Sequence, residues 1–249
     1  MEWDAQNYRK TCGRVTEQGL KLVDVLRTMP CGKVLDLGCG TGDLTNEIAK
    51  FSGEAIGLDS SAEMVNMARA VYPEINFIVS DACAMQWADY FDIVFSNAVL
   101  HFIKAQDALL DSIHKALKKN GTFVCEFGAA GNLADLLNAV AQACLTRGKD
   151  YALRFYYPTE GQFRALLEKH GFLVESAFTY DVDTQLAEGG PGLRNWVNQI
   201  FNVEMGWFGV EEQENVLLEI ESALRPTQWD GSNWHLPNRR IRVIARKEE

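Results

Sequence analysis

Residues 33–42 read Lys-Val-Leu-Asp-Leu-Gly-Cys-Gly-Thr-Gly, and no other ten residues restrict the fold as strongly. Val34, Leu35 and Leu37 suit a buried strand, after which glycines occupy every second position at Gly38, Gly40 and Gly42. A helical pattern opens at Thr41. A strand that breaks into glycines ahead of a helix offers bare backbone to a ligand, because glycine lacks a Cβ and accepts positive φ. The spacing is Gly-x-Gly-x-Gly, unlike the Gly-x-Gly-x-x-Gly of dinucleotide folds, and Asp36 stands two residues before the first glycine. An acidic group there repels a phosphate and suits a cationic ligand.

The same alternation of strand and helix continues along the chain. Helical spacing runs over residues 4–28, with Leu20, Val23 and Leu26 on one side. Strands are expected at 33–37, 55–58, 76–79, 91–95 and 122–127, with helices at 41–51, after Ser60-Ser61 and at 106–117. Asn120-Gly121 reads as a helix C-cap. Further on, helices are expected at 132–146 and 159–169, a strand at 172–179, helices at 193–204 and 211–224, and a last strand at 240–246. This order implies an α/β fold with a doubly wound, mostly parallel seven-stranded sheet. The whole of 1–249 reads as a single domain. Its parts are an N-terminal helical lid over about 1–30, a core over about 31–130, and a helical cap at about 145–160 and 181–235.

Composition excludes several classes. The 249 residues carry 24 basic and 34 acidic side chains, a net charge of −10, which disfavours a nucleic-acid partner. The tight basic cluster Arg239, Arg240, Arg242 and Arg246 alternates with Ile241, Val243 and Ile244, and reads as solvated charge on a final strand. The six cysteines form no CxxC pair, so neither a disulfide framework nor a metal site is expected. No apolar run resembles a signal peptide or reaches membrane-spanning length, so a cytoplasmic protein without membrane association is expected.

Ligands of open parallel sheets bind outside the carboxyl ends of the strands, near the switch in strand order. The polar residues expected there are Asp36, Asp59, Asp81, Asn97 and His101. Asp59 lies 17 positions after Gly42, where a carboxylate ending the second strand accepts both hydroxyls of a ribose. Three aspartates without an adjacent Lys or Arg suit a cofactor that carries positive charge and no phosphate.

Val-Leu-Asp-Leu-Gly-Cys-Gly-Thr-Gly at 34–42 resembles motif I of class I S-adenosylmethionine-dependent methyltransferases. The resemblance implies S-adenosyl-L-methionine as cofactor, held by Asp36, Gly38, Gly40, Gly42, Asp59, Ser60, Met64, Asp81, Ala82 and Asn97. Asp81 and the Ala82 amide would meet the adenine edge, and Met64 its face. Residues 95–102 resemble the motif after strand four in the trans-aconitate methyltransferase-like branch. Trp3 to Tyr8, Phe155 to Pro158 and Asn238 to Val243 also fit that branch. It implies methyl transfer to a small molecule, with the carboxylate oxygen of an organic acid as one acceptor. Trp3, Tyr8, Arg154, Tyr157, Arg194, Trp196 and Arg239 would line the acceptor side, with Arg240 as a further candidate cation for a carboxylate, and His101 would act as a base or substrate contact. Acyl-carrier-protein thioesters, quinone precursors and lipids stay open as acceptors, as does a non-catalytic cofactor-binding module. An NAD-linked oxidoreductase is disfavoured by the glycine spacing and by Asp36. The oligomeric state is not legible.

Overall fold

A computed structural model describes residues 13–248 of the chain, with side chains from Thr16 onward. Trp3 and Tyr8 lie outside the described residues. Helix α1 (Gly13–Leu26) leads into β1 (Lys33–Leu37), α2 (Asp43–Ala49), β2 (Glu54–Asp59), α3 (Ala62–Val71), β3 (Asn76–Val79) and β4 (Phe91–Asn97). There follow α4 (Gln106–Ala116), β5 (Leu117–Gly128), α5 (Ala134–Leu145), α6 (Glu160–Lys169), β6 (Phe172–Gln185), α7 (Gly192–Ile200), α8 (Asn202–Met205), α9 (Val210–Gln228) and β7 (His235–Lys247).

The seven strands form one sheet in the order β3-β2-β1-β4-β5-β7-β6. The first five run parallel, and β7 is antiparallel to both of its neighbours. The order reverses between β1 and β4, so their carboxyl ends part and leave a crevice. Leu35, Leu37, Val94, Phe123 and Phe127 carry the core on one face, packed against α4 and α6 side chains such as Leu110 and Phe163. Leu22, Val23 and Leu26 of α1 close the other face on Val34, Ile93 and Phe95. Leu20 is 38% exposed, so the inward stripe of α1 is Leu22, Val23 and Leu26, not the expected Leu20, Val23 and Leu26.

Several boundaries differ from the sequence reading. β6 runs to Gln185 and β7 starts at His235, because the two strands pair from Phe172↔Lys247 to Gln185↔His235 with one register shift between Val174 and Ser176. The cap after β6 therefore occupies 186–234, and residues 181–185 belong to the sheet. Asn120 is left-handed (φ 61) but caps no helix: α4 ends at Ala116, and Asn120 turns the backbone inside β5. The cap is built from α5, α7, α8 and α9 around a core of its own that includes Leu136, Val197, Phe201, Ile220 and Trp234.

Candidate active site

The turn after β1 does what its glycines permit. Gly38, Gly40 and Gly42 all have positive φ (77, 53 and 82), yet they serve different ends. A Cβ on Gly42 would sit 2.7 Å from the Phe77 ring, so this glycine lets α2 approach the sheet. A Cβ on Gly40 would meet nothing within 4 Å, because Gly40 faces a cavity of about 300 Å³ at the strand ends. Gly38 also lines that cavity and Gly42 does not.

Asp59, at the end of β2, faces the same space. Its Oδ2 accepts the Gly40 amide at 3.0 Å and its Oδ1 the Ser61 amide at 2.8 Å. An ionised carboxylate has about four acceptor positions, so the backbone amides around Asp59 leave it room to accept from a ligand. Burial raises the Asp59 pKa, and these backbone donors oppose the rise. Ser60, Met64, Asp81, Ala82 and Asn97 also line the cavity, which brings most of the expected cofactor contacts together. Asp81 accepts the Cys83 amide at 2.8 Å through Oδ1, which fixes the strand-end turn.

Asp36 is the exception. It is only 3% exposed and lies behind the glycine turn, outside the cavity wall, where its Oδ2 accepts the Thr45 hydroxyl at 2.6 Å. Burial pushes its pKa up to about 7; the Thr45 hydrogen bond opposes this, and the Asp59 charge adds to it. Asp36, expected to contact the cofactor, is therefore not brought to the cavity wall.

The opposite end of the cavity is built by β4, β5, β7 and the cap. Arg240 lies in register with Gly128 on β5, and Arg242 with Glu126, so the three charged groups share one face of the sheet. Arg240 Nη2 donates to Asn97 Oδ1 at 3.0 Å and Nη1 to Gln18 Oε1 at 3.2 Å. Its Nε lies 2.8 Å from Glu126 Oε1 in an ion pair whose N–H is not aligned for a hydrogen bond. Arg242 Nε donates to the other oxygen of Glu126 at 2.7 Å. Glu126 is fully buried and Arg240 is 7% exposed, which overturns the reading of Arg240 as solvated. The cause is topological: β7 is an inner strand, flanked by β5 and β6, so its charges cannot all reach water.

His101 stands beside this arginine. The Gly128 amide points at its Nδ1 at 3.4 Å, which assigns the proton of the neutral ring to Nε2. Burial, with the Arg240 charge adding to it, pushes its pKa down to about 3, so the imidazole is uncharged at neutral pH. Tyr157 packs against it at a ring separation of 5.7 Å, and burial pushes the phenol up to about 12. A Cβ on Gly128 would lie 2.4 Å from the Tyr157 ring, so only glycine leaves room for it there. Trp196 also lines the cavity.

Three expected acceptor contacts are not brought to the cavity, because each arginine is tied elsewhere. Arg154 donates to buried Glu204 at 2.8 Å and to the Ile200 carbonyl. Arg194 forks onto Glu221 at 2.8 and 2.9 Å and reaches Glu214 at 2.6 Å. Arg239 forks onto Asp181 at 2.8 and 2.9 Å on the exposed side of β7. Phe102, Asn132, Leu133, Phe155, Ile200 and Asn238 line the cavity without having been singled out as site residues. One signal was available: Glu126 sits inside the apolar run Phe123-Val124-Cys125-Glu126-Phe127, and a buried acid in such a run requires a cationic partner.

Residues 30–171 match the methyltransferase domain family. The chain is 31% identical over 261 residues to trans-aconitate 2-methyltransferase of Methylobacterium nodulans, an alignment covering 99% of this chain and 98% of that one. The chain belongs to the methyltransferase family. It is a class I S-adenosylmethionine-dependent methyltransferase. A putative methyltransferase from Bacillus halodurans shares the fold with a TM-score of 0.68 at 19% identity, covering 92% of this chain and 98% of that one. Phosphoethanolamine N-methyltransferase 2 of Haemonchus contortus, solved with S-adenosyl-L-methionine, has a TM-score of 0.60 at 21% identity over 94% of this chain and 53% of its own.

The methyltransferase's own residues fit that cofactor. The end of the cavity around Gly40 has open backbone, a two-oxygen acceptor in Asp59 and a further carboxylate in Asp81. Among the described residues lining the cavity, Arg240 at the far end is the one cation, so nothing near Asp59 would attract a pyrophosphate.

Proposed function

We propose that the enzyme transfers a methyl group to the carboxylate oxygen of a small organic acid. The observation that carries this reading is the set of groups that meet at the acceptor end: Arg240 held by Asn97, His101 with its Nδ1 facing the Gly128 amide, and Tyr157 packed on the His101 ring. Arg240 is a cation, His101 a neutral ring with its proton on Nε2, and Tyr157 a neutral phenol, so all three can donate hydrogen bonds. None is poised to take a proton at neutral pH. A phenol, amine or carbon acceptor would gain from a base there; a carboxylate is ionised already and needs none.

S-adenosylmethionine supplies an electrophilic methyl on a positively charged sulfur with a neutral thioether leaving group. In this reading Gly38 and Gly40 admit it, Asp59 takes the ribose hydroxyls, and Asp81, Ala82 and Met64 flank the base. Arg240 holds the acceptor carboxylate by charge-assisted hydrogen bonds, and His101 and Tyr157 donate at its side. Asn97, at the end of β4, fixes Arg240. Alignment and exclusion of water then supply most of the rate enhancement. The alignment to a relative named for trans-aconitate over nearly its whole length supports an acid as acceptor.

The test uses cofactor carrying a ¹³C-methyl group and a panel of carboxylic acids, phenols and amines. A carboxylate acceptor yields a methyl ester that mild alkali cleaves to labelled methanol. Labelled product that withstands alkali, arising only from phenols or amines, contradicts the reading.

A further inference from the structure

We propose that the acceptor carries a single carboxylate on an apolar body, and that polycarboxylates are poor substrates. The inference rests on the carboxylate reading above and narrows it from the charge and surface of the acceptor compartment.

Arg240, Arg242 and Glu126 form one connected group on a single face of the sheet. Two cations against one anion leave a single surplus positive charge, which one carboxylate neutralises. Tyr180, packed beside Arg242, adds no charge, since burial pushes its phenol up to about 12. Arg154, Arg194 and Arg239, which could have served further carboxylates, are each satisfied by acids of the protein itself. Turning any of them toward the cavity would strand its partner; for Arg154 that partner is Glu204, 2% exposed.

The remaining wall of the compartment is uncharged and mostly apolar, its polar members being the amides Asn132 and Asn238. Phe102 and Phe155 stack edge to face at 5.6 Å, and Trp196, Ile200 and Leu133 complete the surface. A second or third carboxylate on the acceptor would lie against these side chains with no second cation among the described lining residues, only the amides Asn132 and Asn238. An ionised group desolvated in that way is strongly disfavoured. A ring or hydrocarbon chain in the same place gains from burial.

The experiment measures kcat/KM of the full-length enzyme for phenylacetate, indole-3-acetate and octanoate against trans-aconitate and citrate, with radiolabelled cofactor. We expect the best monocarboxylate to exceed both tricarboxylates by at least about 100-fold. Equal or higher kcat/KM for a tricarboxylate, with esters formed, overturns this inference and leaves the carboxylate reading standing. Methylation of phenols or amines alone, or of no acid in the panel, overturns the carboxylate reading itself. A second arm uses Trp196→Arg, with S-adenosylhomocysteine affinity as the control for folding. Adding a cation to the apolar wall is expected to raise the ratio of tricarboxylate to monocarboxylate turnover by about 10-fold. An unchanged ratio, with S-adenosylhomocysteine still bound normally, counts against the charge-matching argument.

Discussion

Asp36→Asn should change how the stability of this enzyme depends on pH. The Asp36 carboxyl is buried behind the glycine turn and titrates near 7, against an ordinary value of 3.8. A carboxyl raised in the folded state holds its proton there while the unfolded chain has already released it. Stability therefore falls as pH rises from about 4 to about 7 and is flat above. A difference of about three pKa units at 1.36 kcal/mol each puts the full loss at about 4 kcal/mol. Asparagine has nearly the same shape, can still accept the Thr45 hydroxyl, and does not ionise. The stability of the variant minus that of the wild type should therefore grow by about 3 kcal/mol between pH 5 and pH 7.5. Urea denaturation followed by circular dichroism at half-unit pH steps measures this directly. The gain should come with weaker binding of S-adenosylmethionine, whose positive charges favour the ionised carboxylate. Parallel stability curves for the two proteins would refute the argument that burial, not a ligand contact, governs Asp36.

Three further substitutions separate the parts of the site. Asp59→Asn should weaken S-adenosylhomocysteine binding by about 10- to 100-fold in calorimetry, since hydrogen bonds to a charged acceptor contribute about 1.5–3 kcal/mol each; unchanged affinity would remove Asp59 from the ribose. His101→Gln should keep turnover within about 10-fold of wild type, because a side-chain amide can still donate where Nε2–H did. His101→Ala should lose more, whereas a base would be lost equally in both variants, by about 10²–10⁴. Glu126→Gln leaves Arg240 and Arg242 without their shared counter-ion and should cost about 3–5 kcal/mol in denaturant unfolding. A loss below about 1 kcal/mol would mean that water already screens the group.

The parts of the site that follow from local chain chemistry were legible in the sequence. Gly38 and Gly40 are forced by positive φ beside a cavity, and Asp59, Ser60, Asp81 and Ala82 fall where short parallel strands stop. The direction of Asp36 was not legible. β1 is buried on both faces, so no alternation of polar and apolar residues reports which way its side chain points. The arginines show the same limit at longer range. Arg239 and Arg240 are adjacent on β7 and point to opposite faces, and only the register Gly128↔Arg240 decides which one reaches the cavity. The acids that bind Arg154 and Arg194 lie 50, 20 and 27 residues away, in helices whose packing no local pattern encodes. The end of β6 was not legible either, because β6 is an edge strand whose length is set by its partner β7. Its residues 180–185 alternate in a way that an exposed loop could share.

The most direct test of the account is a crystal structure of the enzyme with S-adenosylhomocysteine and indole-3-acetate together. The ribose hydroxyls should lie on the two oxygens of Asp59, and the acid's carboxylate on Arg240 with its ring against Phe155 and Trp196. Density for the nucleoside away from Asp59, or for the carboxylate on Arg154, Arg194 or Arg239 instead, would contradict it.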